Sequence, residues 1–119
     1  MAYVLLGVIG FLPDPLIQAS AAPSATGAVL GIVAINPLLN IVHLVVGGAL
    51  LYASAATGTA ILVSRLIGVA LVALGLLGEV AAGGEGLMPL GGGEIVLHLA
   101  TGAVLLGSSI AGTATPPAS

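Results

Sequence analysis

From Thr59 to Gly78 the sequence carries one charge, Arg65, in a run otherwise apolar but for Thr59 and Ser64. A helix of about 20 such residues matches the ~30 Å hydrocarbon layer of a bilayer; in water it would have to be covered on every side. The rest of the chain cannot supply that cover and still present a polar surface. Only 4% of the 119 residues are charged and 59% are hydrophobic, whereas a soluble domain has about a quarter of its residues charged. Together with a mean hydropathy of +1.32, this predicts an all-α integral membrane protein in contact with lipid. Its length allows about four spans of ~20 residues and a single domain over 1–112, with 113–119 as a frayed tail.

Charge and cysteine content exclude several classes. A net charge of -3 with one Lys or Arg provides no basic cluster for nucleic acid or anionic headgroups. The chain has no cysteine, so disulfides, thiol catalysis and thiolate metal sites are absent.

Turn signals divide the chain. "MAYVLLGVIGFLP" at 1–13 is short for a span, so helix 1 is expected either to continue through Pro13 and Pro15 toward Ile17 or to be preceded by further sequence. A signal peptide is disfavoured because no basic residue precedes the run. "QASAAPSATGA" at 18–28 reads as a loop, and "VLGIVAI" after it as a short interfacial or re-entrant segment. Asn36 is a good N-cap with Pro37 at the first helical position, starting a helix that runs to about Ala53. Turn "SAATG" at 54–58 precedes a third helix, about Thr59 to Val80. A glycine-rich loop at 81–93 leads to a fourth, about Glu94 to Ile110.

Alternating spans place the N-terminus, the 54–58 turn, Arg65 and the C-terminus on one face, and Asp14, Glu79, Glu85 and Glu94 on the other. The positive-inside rule then sets the termini in the cytoplasm.

An internal repeat is visible. "LLGVIGF" at 5–11 matches "ALGLLGE" at 73–79, and "NIVHLVVGGALLYAS" at 40–54 matches "IVLHLATGAVLLGSS" at 95–109. The four spans therefore read as two tandem helical hairpins in one orientation, which sets His43 and His98 at one depth. On helix 2, Asn36, Asn40, His43 and Gly47 form one stripe of a 3.6-residue helix; on helix 4, Glu94, His98, Thr101 and Gly102 form the matching one. Polar side chains have no partner in hydrocarbon, so both stripes are expected to face the interior. Gly47 and Gly102, with Gly7 and Gly10 on helix 1 and Gly68, Gly75 and Gly78 on helix 3, are expected to let helices approach closely.

An L-x-G-x-x-G-F first helix, "INPLLNIVHLVVG" and a second, weaker histidine-bearing copy together resemble a bacterial four-helix membrane family known only as a domain of unknown function, number forty-three eighty-three. The resemblance spans nearly the whole chain and implies a multi-pass protein of the bacterial inner membrane, with no activity attached. Where that family typically shows Asn-Pro-Leu-His-Asn-x-x-His, this chain has Leu39 in place of the first histidine, which removes one possible metal ligand. Members tend to have a longer first helix.

Function is less determined. The leading reading is a non-catalytic accessory or scaffolding subunit, packed against other membrane proteins or its own copies in membrane lipid. In it the polar cluster only bonds hairpin to hairpin, each interhelical bond contributing ~0.6–2 kcal/mol. No cofactor is required. The alternatives are a haem or chlorophyll-type pigment held by His43 and His98, and a metal site of His43, His98 and Glu94. Ser64, Ser108 and Ser109 start far from either histidine, which argues against a Ser/His dyad. A Glu79–Glu94 proton relay is set below the simpler view that both acids are solvated near the surface. A channel would need a continuous polar path that the Val, Leu, Ala and Gly lining does not offer.

Overall fold

The computed structural model describes residues 1–12, 17–18, 27–29, 32–35, 37–81 and 92–114. They form four helices, α1 (Ala2–Ile9), α2 (Pro37–Ala53), α3 (Thr57–Ala81) and α4 (Gly92–Ala114). Between α1 and α2 lie three short strands, β1 (Ile17–Gln18), β2 (Gly27–Val29) and β3 (Val33–Ile35). The N-cap expected at Asn36, the acids Asp14 and Glu85, and the tail at 115–119 lie outside the described residues, as does the side chain of Glu79.

Helix α1 corrects one expectation, for it stops at Ile9 and does not continue toward Ile17. The chain there tightens into shorter bonds, with Phe11 N–H donating to the Val8 carbonyl at 3.1 Å and Leu12 N–H to Ile9 at 3.0 Å. Gly10 is among the weakest helix formers, and a proline at 13 or 15 would have no N–H to extend the ladder. Ile17 instead belongs to a strand.

The stretch expected to be a loop followed by an interfacial segment contains a three-stranded antiparallel sheet in the order β1-β2-β3. Ile17 pairs with Val29, and Val29 in turn with Val33, so the register aligns β-branched residues across all three strands. Such residues fit a pleated surface, but runs of two or three are too short for alternation to betray them in the sequence.

The other helices lie close to their expected bounds. Three residues, Ser54–Ala56, join α2 to α3, and Ser54 Oγ donates to the Leu51 carbonyl at 2.7 Å to close the end of α2. Two helices are long and apolar enough to cross a membrane, over Thr57–Gly78 and Gly92–Thr113; α2 is apolar but shorter.

Helices pack in two pairs, α1 on α2 and α3 on α4, and glycines set both approaches. A Cβ on Gly7 would stand 2.6 Å from Leu44 Cγ and 2.8 Å from the Asn40 carbonyl oxygen. One on Gly75 would stand 2.6 Å from Leu99 Cγ and 3.4 Å from the Ile95 carbonyl oxygen. Gly47 meets Val4 in the same way, at 2.5 Å from Cγ2 and 2.7 Å from the backbone nitrogen; Gly102 meets Val72 at 2.7 Å and 3.0 Å. Gly68 lies against Leu106, Gly10 against the side chain of Asn40, and Gly78 is buried.

Polarity is inverted relative to a water-soluble bundle. Leu66, Val69, Val96 and Val104 are each more than half exposed, whereas Asn40, His43, Glu94 and His98 are buried. Arg65, the chain's one Lys or Arg, is exposed, with Nη2 3.5 Å from Thr113 Oγ1 where the start of α3 meets the end of α4.

Candidate functional site

Three buried polar side chains, those of His43, Glu94 and His98, converge where α2 and α4 begin. His43 lies two turns into α2 on the face that also buries Leu39, Asn40 and Gly47. Glu94 and His98 lie one turn apart on α4; at i and i+4 their side chains are neighbours on one helix face. His43 and Glu94 are completely buried, and His98 nearly so.

Glu94 Oε1 is the centre of the cluster. It lies 2.8 Å from His43 Nε2 in a hydrogen bond, the imidazole N–H donating when the carboxyl is ionised. His98 Nε2 stands 3.3 Å from the same oxygen but out of hydrogen-bond alignment. Glu94, expected on the interior stripe of α4 although also weighed as a solvated acid, has its carboxyl held inside, on the helix face that it shares with His98.

Tyr3 is the member that sequence reasoning missed. Its ring meets His43 edge-on with centroids 5.3 Å apart and lies nearly parallel to His98 at 6.3 Å. The rings of His43 and His98 are themselves 6.1 Å apart. Tyr3 Oη is turned toward Thr101 without a well-aligned hydrogen bond. A usable signal was present, since Tyr3, Gly7 and Gly10 repeat at i, i+4 and i+7, a polar-tipped aromatic opening the glycine stripe of α1.

Several buried atoms find no hydrogen-bond partner among the described residues: Asn40 Oδ1, Glu94 Oε2, His43 Nδ1 and both nitrogens of His98. Leaving a buried polar group unmatched costs about 1–3 kcal/mol, so the cluster is short of partners of its own.

Of the residues singled out in the sequence, His43, Glu94 and His98 are thus brought together, with Thr101 half-buried on α4; Asn40 is buried with its side chain against Gly10 of α1. Asn36 lies outside the described residues. Ser108 and Ser109 donate to carbonyls three residues back in their own helix, Leu105 at 3.0 Å and Leu106 at 2.8 Å. The ligand atoms of His43, Glu94 and His98 all lie within 4.8 Å of one another, the chemistry of a nitrogen-and-oxygen cation site.

The sequence profile of one protein family matches residues 1–111 and is described only as a domain of unknown function (DUF4383). No curated protein and no solved structure matches the chain. The chain belongs to the DUF4383 family.

Proposed function

We propose that this DUF4383 protein is a multi-pass membrane protein of two tandem helical hairpins, non-catalytic, acting as an accessory or scaffolding subunit that packs against other membrane proteins or its own copies. The observation that carries the membrane reading is the inversion of polarity: leucines and valines outward, and carboxylate, imidazoles and amide inward. In water those outward side chains would forgo roughly 25 cal/mol per Å² of burial, whereas in lipid they are already at home. In this reading the small sheet lies at the interface, where water can reach backbone groups that the strands do not pair.

The duplicated hairpin is supported by the glycine contacts, since Gly7 and Gly75, and likewise Gly47 and Gly102, meet equivalent atoms of equivalent residues. Buried positions correspond too, with Tyr3 and Leu71, Leu39 and Glu94, and His43 and His98 as matched pairs. The accessory role is favoured by Gly48 and Gly107, whose outward faces meet nothing within 4 Å; small residues on a lipid-facing surface let a further helix come near. A macrocycle clamped between the two imidazoles is less well supported, because the Glu94 carboxylate occupies the space between their Nε2 atoms.

Alkaline carbonate extraction of membranes tests the reading. The protein is expected to stay in the membrane pellet and to leave it only with detergent. Release into the carbonate supernatant would overturn it. Because the chain has no cysteine, an Ala55→Cys variant can be labelled with an impermeant maleimide, and labelling is expected from the cytoplasmic side alone. Gly48→Leu and Gly107→Leu should weaken association with the partner or second copy while leaving helicity intact.

A further inference from the structure

We propose that His43, Glu94 and His98 bind one divalent transition-metal cation of the zinc class, held between α2 and α4. The three donors come from two helices and converge: Glu94 Oε1 is 2.8 Å from His43 Nε2 and 3.3 Å from His98 Nε2, and one ligand atom from each residue fits within a span of 4.8 Å. Donors bonded tetrahedrally to zinc at about 2.0–2.2 Å lie roughly 3.3–3.6 Å from one another. Adjustment on the order of 1 Å therefore turns the cluster into a coordination set, without moving either backbone far.

Three further observations point to a cation. Burial of the Glu94 carboxylate is complete, and an ionised carboxylate in such a place needs a matching positive charge. The chain's one Lys or Arg, Arg65, stands beside Thr113 at the opposite end of the α3–α4 pair, which leaves an imidazolium of the cluster or a bound cation to supply that charge. Next, both nitrogens of His98 and Glu94 Oε2 have no hydrogen-bond partner among the described residues. A cluster that merely tied helices together would be expected to satisfy its own members. Finally, the imidazoles are oriented, for Tyr3 packs edge-on against His43 and parallel to His98, holding the ring planes while both Nε2 atoms face the carboxylate.

Two imidazoles and one carboxylate select the metal class. Magnesium and calcium prefer all-oxygen shells, whereas mixed nitrogen and oxygen donors suit zinc and its neighbours. Three protein ligands leave one tetrahedral position for a fourth donor. The competitor is the proton, which occupies the same imidazole and carboxylate atoms, so affinity is expected to fall as the pH is lowered.

The test uses the full chain in detergent, stripped with chelator and titrated with cobalt(II) as a coloured stand-in for zinc. One equivalent of cobalt is expected to give the visible ligand-field bands of a four-coordinate ion. Zinc should remove them and magnesium should not. Glu94→Gln keeps the shape of the side chain but loses the charge, and His98→Ala removes a nitrogen. Each should weaken binding by more than the roughly 10- to 100-fold that loss of an outer-shell partner costs. Should either variant lose its helical circular dichroism, the wild type decides through melting, whose midpoint zinc should raise and magnesium leave unchanged. Folded wild type that takes up neither cobalt nor zinc would sink the proposal, as would unchanged binding in folded Glu94→Gln. Carbonate extraction is blind to metal, so failure here leaves the membrane reading standing, and the converse holds as well.

Discussion

The α1–α2 and α3–α4 pairs use the same glycine approaches and differ in what they bring inside. At matched positions the first pair has Tyr3, Leu39 and Asn40 where the second has Leu71, Glu94 and Ile95, all of them buried. His43 and His98 put the same polar group, buried in both pairs, at matched places. The backbone contacts at Gly7 and Gly75, or at Gly47 and Gly102, tolerate no side chain and therefore cannot diverge. Positions facing the junction of the two pairs are under no such restriction. The result is two helix pairs with like glycine contacts and unlike interiors, with the acid from one side and the tyrosine and amide from the other.

Substitutions can break or sharpen that comparison, beginning with the glycine contacts. Gly102→Leu would drive its side chain against the Gly68 carbonyl oxygen, 2.9 Å from the first added atom, and Gly47→Leu against the Val4 nitrogen at 2.7 Å. Each should cost about 3 kcal/mol, at the upper end of overpacking, as read from unfolding in mixed detergent micelles; a loss confined to one of the two would argue against equivalent contacts. Next, Leu39→His places a fourth donor at the position matched to Glu94 and should tighten cobalt binding about tenfold, or 1.4 kcal/mol. Weaker binding in a folded variant would show that positions 39 and 94 do not face the same point. Tyr3→Leu makes the first pair resemble the second and should lose about 0.5–1.5 kcal/mol of aromatic contact, while broadening the cobalt bands as the imidazoles lose their support. The smallest effect belongs to Gly107→Ala, whose Cβ would enter open space. It should leave stability unchanged or raise it by up to about 1 kcal/mol through helix propensity.

Much of this arrangement was legible in the sequence, and the parts that were not have physical reasons. Pro37 and Ala53 bound α2 as expected, because proline marks a helix start and small turn residues follow the apolar run. Helices α3 and α4 extend a few residues past their expected ends, since Thr57, Gly58, Gly92 and Gly93 are weak helix formers that the adjoining helix recruits. The end of α1 and the sheet were not readable, for two- and three-residue strands are too short to show a periodicity. His43 and His98, expected at one depth from the likeness of 40–54 to 95–109, have ring centroids 6.1 Å apart. Glu94 was recognised as part of the interior stripe yet also taken as a solvated acid; its i, i+4 spacing to His98 was the better guide. Tyr3 escaped because one aromatic in a short apolar run looks like an ordinary lipid-facing residue until its neighbours are known.

The three-residue joint at Ser54–Ala56 acts as a tether of fixed length. It pins the end of α2 beside the start of α3, so the pair carrying His43 is presented to the pair carrying Glu94 and His98 at a high effective concentration. A flexible glycine-serine insertion between Ala55 and Ala56 would slacken that tether and dilute one half of the donor set relative to the other. Cation capture should then decline as the insertion grows, although no residue of the cluster has been altered.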